Sequence, residues 1–495
     1  MVNFASVFVV TPYISDNVQL YGIYTVIIAA YLFISYADFG FLSAGMKYAS
    51  ESFAKGDLSS EVRVLGFSGI VFLTFGLIYS LGVVIVAFNP TLLISDLVLP
   101  FELTVARNLL IILAFSCPVL VIQRIIQIVF AVRLQDYKFQ RVVILTNSVR
   151  FLSVFFFFGG GKYLLVEYFL FAQFCTLSAV ILGLVMLKYK YKYPIKELFK
   201  SFKFTKEVFN KTKKLAFTSI FLTISWILYY ELDPFAIARL LGAKSVAVYA
   251  IGLAIITYFR SIFGILFTPF IARFNHFVGL GDDEGLKKIF IDVLKIFLPI
   301  TLLSVLVIHL TTENFVLTWV GEEYRESIAI AKILVLSYIF SFITYPSGIL
   351  IMAKEKVKML YISGIIQPII FWLGIGLTLS YLGLRSFAYF KFLAFFVETI
   401  FYTVIIFRFL ELKPLRFLKD VIVPFILPLM VTIFSTMIIK DYLPLEMGPE
   451  KLASYFALVS IPIILGFVTY YFTSKVFRKY FKKVLSSLIP RLAET

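Results

Sequence analysis

Long apolar runs, each about a bilayer deep and separated by short polar connections, govern what this chain can become. A helix rising 1.5 Å per residue needs about 20 apolar residues to cross the ~30 Å hydrocarbon core. Runs of that kind fall near 1–15, 22–46, 64–87, 107–130, 139–160 and 163–187, then near 214–236, 247–271, 289–310, 328–352, 358–380 and 386–408, and finally near 420–439 and 453–473. Inside lipid every backbone polar group needs an internal partner, so such runs fold as helices. The expectation is an all-α integral membrane protein with about 14 transmembrane helices. Charged residues make up 15% of the chain, against ~25% in soluble domains. No stretch reads as a soluble catalytic domain, so the chain is read as not an enzyme. The first run, about fifteen residues long, is short for a span. It lacks a basic start and a small-residue cleavage site, which favours a truncated helix over a signal peptide.

The net charge of +17 would suit nucleic acid if it were clustered on a soluble surface, but it sits in loops between the spans. With the N-terminus inside, the inner connections hold Lys47, Lys55 and Arg63, then Arg133, Lys138 and Arg141, then ten lysines from Lys188 to Lys214. Later inner loops carry Lys287, Lys354, Arg408 and Lys413, and the tail runs basic from Lys475 to Arg491. Outer loops hold scattered cations such as Arg107 and Lys162 beside acids such as Asp96 and Glu322, a bias of about four to one for the inside. Both termini are therefore expected in the cytoplasm, in a multi-pass protein of the cell membrane without a nucleic-acid partner. Cys117 and Cys175 lie isolated in apolar runs, and with only His276 and His309 no metal-ligand or nucleophile spacing arises, so no metal or cofactor is expected.

Six spans, a basic linker and six more spans suggest a duplication. LYGIYTVIIAAYLFISYADFGF in the second span echoes SVAVYAIGLAIITYFRSIFGIL in the eighth, with Tyr24 over Tyr249. Even helix numbers give both repeats one orientation, hence a pseudo-twofold axis along the membrane normal and a substrate site between lobes. The expected organisation is an N-terminal six-helix lobe (1–187), a basic cytoplasmic linker (188–213), a C-terminal six-helix lobe (214–408), an appended helix pair (409–473) and a basic tail (474–495). In the linker Leu198, Phe202, Val208 and Phe209 oppose a lysine face. In the tail Phe477, Tyr480, Phe481, Val484 and Leu488 do the same. Both patterns suit helices lying on anionic headgroups.

The stretch YGIYTVIIAAYLFISYADFGFLSAGMKYASESFAKGD resembles the polysaccharide-transporter branch, the Wzx-type oligosaccharide flippases, of the multidrug/oligosaccharidyl-lipid/polysaccharide flippase superfamily. YYELDPFAIARLLGAKSVAVYAIG is similar to a second pattern of that family, an Asp, an apolar patch, Leu-Gly and a Tyr opening the eighth helix. The patches cover about sixty residues, and the two-lobe layout with an extra pair extends the likeness along the chain. The first helix departs from the pattern, being short and without a basic lead. The resemblance implies a protein that flips lipid-diphosphate-linked oligosaccharides from the cytoplasmic to the outer leaflet.

Charges deep in a bilayer are disfavoured, so buried ones mark candidate sites. Lys295, Lys332 and Lys391 lie near span ends and can snorkel. Arg150 and Arg260 sit close to mid-span, and Arg124 lies in an inner half with Gln127 on its face. Three arginines facing one cavity suit a diphosphate, whose oxygens match paired guanidinium donors. Structural pairing of Arg150 or Arg260 with Glu398 is the competing reading. Asp38, Asp233 and Glu398 are candidates for coupling or gating. Asp38 also suits a helix-end cap, and Asp233 precedes Pro234, where a helix loosens.

The expected function is alternating-access flipping of a polyprenyl-diphosphate-linked oligosaccharide for surface polysaccharide biosynthesis. Membrane lipids and glycan polymerase or glycosyltransferases of the same pathway are the expected partners. The alternatives are a lipid II-type flippase and an ion-coupled exporter of drugs or metabolites from the same superfamily.

Overall fold

A computed structural model describes residues 2–488, with side chains for residues 7–482, and the described residues fold entirely as helices and turns. The last residues of the expected tail, 489–495, and the side chains of Val484 and Leu488 lie outside this description. Twelve described helices are long and apolar enough to cross a membrane. A thirteenth span forms if a pair bent by 44° is counted as one. The expected first span is helix α1 (Val2–Ile14), 13 residues long and so about 20 Å, short of the bilayer core. Clustering of backbone contacts gives two multi-helix units, Met1–Ala247 and Val248–Thr495.

In the first unit α1 is followed by α2 (Val18–Phe33), α3 (Phe41–Ala54), α4 (Leu58–Phe88), α5 (Pro100–Val132), α6 (Asp136–Phe158), α7 (Leu165–Val185), α8 (Ile195–Lys200), α9 (Lys206–Trp226) and α10 (Asp233–Leu241). The hydropathy pattern carries the second span to residue 46, but the helix ends thirteen residues earlier. A tight turn at Ile34–Tyr36 leads into Phe39 (φ 45°) and Gly40 (φ 72°). A Cβ on Gly40 would stand 2.5 Å from Ser219 Cβ and 2.9 Å from the Ala216 carbonyl oxygen, so only glycine admits both the left-handed turn and α9 beside it.

The basic linker docks on this unit rather than lying free on headgroups. Tyr193, Leu198 and Val208 are buried. Ser201 Oγ donates to the Val62 carbonyl at 3.0 Å. A Cβ on Gly66 or Gly69 would strike Ser201 or Phe202. Beside it Arg133 sets its guanidinium fork on Glu61, with Nη2 3.0 Å from Oε2. The Glu61 side chain is 0% exposed, and Arg133 lies 4.4 Å from the Tyr193 ring centroid. At the opposite ends of these helices Asp96 accepts the Ala243 N–H at 2.7 Å and the Gln19 amide at 3.2 Å.

The division between units falls inside α11 (Ala243–Phe267). The second unit continues with α12 (Pro269–Leu280), α13 (Asp283–Leu310), α14 (Thr312–Val320), α15 (Ser327–Leu336), α16 (Ser341–Ala353), α17 (Val357–Leu382), α18 (Arg385–Phe409), α19 (Pro414–Phe417), α20 (Val423–Lys440), α21 (Pro449–Thr473) and α22 (Lys475–Leu488). Here α13 is central, packing against α12, α15, α16, α20 and α21. α17 and α18 form one hairpin, α20 and α21 another. On α22, Phe477 packs on Tyr470 with ring centroids 5.1 Å apart and Phe481 on Tyr471 at 5.7 Å. Part of the apolar face expected to meet lipid therefore meets protein. Lys391 does not snorkel: it is 3% exposed, with its ammonium 5.2 Å from the Phe371 ring.

Candidate functional site

In the first unit two of the three candidate arginines converge on one tyrosine. Arg124 on α5 donates from Nη1 to Gln127 Oε1 at 3.0 Å, the same-face pairing that their spacing predicts. It opens into a cavity of about 300 Å³ lined also by Tyr31, Ser35, Gln123, Gln127 and Gln140. Arg150 on α6 is half-buried, its guanidinium 5.9 Å from the Tyr168 ring, with Tyr24 and Tyr31 beside it. Tyr31 thus lies within electrostatic reach of both Arg124 and Arg150. The neighbours that weigh most on Arg150 are phenols rather than carboxylates. A cation held by neutral acceptors and rings retains unspent attraction for a bound anion.

Asp38 lies in the turn before α3, where Oδ2 accepts the Leu42 N–H at 3.2 Å. It serves there as a helix cap, and Arg124 lies within electrostatic reach. Partial burial raises its carboxyl above the ordinary value, while the Gly40 and Leu42 N–H groups hold it down. Asp233 is buried at the start of α10. The helix bends by 44° at that point and continues to Leu241, five residues beyond the expected end of the seventh span.

The second unit gathers Arg260 and Glu398 around one pair of tyrosines. Both act electrostatically on Tyr338 and Tyr345. Glu398 accepts from Ser363 Oγ at 2.7 Å and from Gln367 Nε2 at 2.7 Å, both donors coming from α17. Its direct hydrogen bonds therefore run to neutral groups. Among the described residues no cluster of three or more His, Cys, Asp or Glu could hold a metal.

Sequence reasoning located the charges but not their company. Tyr31 and Tyr168 around Arg150, Gln140 in the cavity, and Ser363 and Gln367 around Glu398 are not singled out by charge or spacing. Amides inside otherwise apolar spans were the available signal.

No protein-family model and no curated protein matches the chain. Solved structures do. A lipid II flippase, MurJ, in an inward closed conformation superposes with a TM-score of 0.67 over 97% of this chain and 98% of that one, at 13% identity. An inward-facing multidrug resistance MATE transporter of the MOP superfamily gives 0.61 over 82% and 99%, also at 13% identity. An outward-facing MATE transporter gives 0.53 over 83% and 93%, at 12%. The chain shares the fold of these solved structures.

Proposed function

We infer that this protein is an alternating-access transporter that flips a polyprenyl-diphosphate-linked saccharide across the cell membrane. The observation carrying this reading is the pair Arg124 and Arg150, two cations set in transmembrane helices among amides and phenols and both reaching Tyr31. A diphosphate offers oxygens for both guanidinium groups, and amides along the cavity suit saccharide hydroxyls. The polyprenyl tail stays in lipid. A flippase, of the lipid II type among others, has the wider support over a drug or metabolite exporter. Likeness to the lipid II flippase covers 97% of the chain and so runs into the helix pair α20 and α21, whereas likeness to the MATE transporter covers 82%. Arg260 is assigned to anion binding within the second unit, Glu398 to ion coupling, and Asp38 and Asp233 to the bends that move. Both termini face the cytoplasm on the charge bias of the loops. Enzymes that make and use the saccharide are the expected partners.

Vesicles reconstituted with the full chain test this. A fluorescent prenyl-diphosphate saccharide should become accessible to an impermeant quencher with wild-type protein, and about tenfold more slowly with Arg124→Ala or Arg150→Ala, the loss of roughly 1.4 kcal/mol of charge-assisted hydrogen bonding. Normal flipping in all three single variants, Arg260→Ala included, overturns the cationic site. Movement of an organic cation with no movement of the lipid favours the exporter instead.

A further inference from the structure

At the C-terminal end of α9 a π-helical turn, Ile227–Glu231, interrupts the helix just before its bend. Such turns insert a residue and re-aim the side chains around them. Here the effect is to bring an indole and a carboxylate of one helix against a phenol 190 residues away in sequence. Trp226 Nε1 donates to Glu231 Oε1 at 3.0 Å and to the Tyr36 hydroxyl at 3.1 Å, and Tyr36 donates to the same Oε1 at 3.3 Å. Tyr230 lies against the indole with centroids 4.2 Å apart and the rings tilted by 34°. The ring is fixed through its edge and backed by a second ring, yet Trp226 remains 38% exposed.

Depth decides what that exposure faces. Trp226 lies twelve residues beyond Lys214, the last lysine of the linker, and so about 18 Å further along the helix. Glu231 lies eight residues before Arg239, at most about 12 Å along a path that bends by 44°. The cluster is therefore well inside the hydrocarbon depth and not in an interfacial aromatic belt. Carboxylates at such depth are confined to bundle interiors and water-lined surfaces. Tyr36 directly follows Ser35 of the Arg124 cavity, so the two sites share a turn.

We propose that Trp226, Tyr36 and Glu231 form a saccharide platform in which one pyranose ring stacks on the indole and its hydroxyls reach the carboxylate at the rim. The proposal rests on the flippase reading and assigns its sugar-binding residues. The geometry favours a sugar over a small cation because the carboxylate lies at the indole edge, beside its N–H, rather than over the ring face. A stacked sugar extends equatorial hydroxyls outward to that edge, where an ionised acceptor makes a strong hydrogen bond.

The chain has three tryptophans, so Trp319→Phe with Trp372→Phe leaves Trp226 as sole indole fluorophore in the full-length protein in detergent. Acrylamide quenching is measured with maltotetraose, chitotetraose, glycerol or tetramethylammonium. At least one tetrasaccharide should lower the quenching rate about twofold and saturably, with glycerol inert. Glu231→Gln should weaken that protection several-fold. Protection by neither tetrasaccharide, or by tetramethylammonium alone, overturns the platform. In the otherwise unaltered chain, a prenyl-diphosphate disaccharide and bare prenyl diphosphate are compared as ligands. Trp226→Ala should abolish the preference for the sugar-bearing lipid, and Trp226→Phe should keep most of it. A preference unchanged in Trp226→Ala refutes the platform while leaving the flippase reading standing. Tetrasaccharide protection of Trp226 without flipping of any lipid-linked saccharide refutes the flippase reading and leaves the platform.

Discussion

Breaking the ion pair between Glu61 and Arg133 should unsettle the first unit more than any surface charge change. The Glu61 side chain has no exposure and Arg133 only 13%, so neither charge can turn to water when its partner goes. Removing one member of a buried pair costs about 3–5 kcal/mol, because the other is stranded. Arg133→Met also loses the contact with the Tyr193 ring at 4.4 Å, worth roughly 0.5–2 kcal/mol. Glu61→Gln keeps that contact and retains an acceptor, so it is the milder change. Unfolding entropy of about 2.1 cal/mol/K per residue over the unit Met1–Ala247 gives ~0.5 kcal/mol per degree. Arg133→Met should therefore lower the melting midpoint by roughly 7–14 °C if the unit melts together. The double variant Glu61→Leu/Arg133→Met, which removes both charges, should recover most of the loss. Melting curves of wild type, Glu61→Leu, Arg133→Met and the double variant in one detergent, followed by fluorescence-detected size exclusion, provide the cycle. If the double variant is as unstable as the two singles summed, the pair is not coupled and the reasoning fails.

Three further outcomes follow from the geometry. A methyl group at Gly22 would stand 1.9 Å from the Ala243 carbonyl oxygen, so Gly22→Ala should cost about 1–3 kcal/mol as overpacking, read in the same melting assay; an unchanged midpoint refutes the close crossing. Glu398→Gln should fold normally and support counterflow of substrate but not uptake driven by an ion gradient, and retained gradient-driven uptake would remove Glu398 from coupling. Asp38→Asn keeps an oxygen to cap Leu42 and removes a carboxyl that burial holds above its ordinary value. The raised value means that the folded state favours the protonated form. Stability from this group is then present below the ordinary carboxylate range and is lost as pH rises through the raised value. The variant should match wild type in acid and equal or exceed it at neutral pH, and a variant weaker only at neutral pH would contradict this.

The membrane spans were legible because lipid imposes a length and an apolar character on each helix without regard to its neighbours. Arg150 and Arg260 stood out for the same reason, as charges too far from a span end to reach water. What sequence withheld were the pairings across the chain: Tyr36 with Trp226, Tyr168 with Arg150, Ser363 with Glu398. Those depend on which helix faces meet, and a span apolar on every side carries no such signal. Hydropathy carries the second span too far because Tyr36 to Phe41 is apolar enough to continue it; the left-handed turn at Phe39 and Gly40 ends the helix through backbone geometry that hydropathy does not weigh. The docking of the linker is hidden from sequence for a related reason. Its amphipathic pattern announces an apolar surface needing cover, but Leu198 and Val208 look the same from sequence whether acyl chains or α4 provide it.

That docked linker gives the basic stretch a register. Gly66 and Gly69 lie three residues apart on α4 and receive the consecutive residues Ser201 and Phe202, much as notches receive the teeth of a key. Inserting or deleting a residue between Lys188 and Lys206 would therefore slide the key against its notches rather than lengthen or shorten a tether. Slack in this chain has to be sought further on, where the helix bends at Asp233.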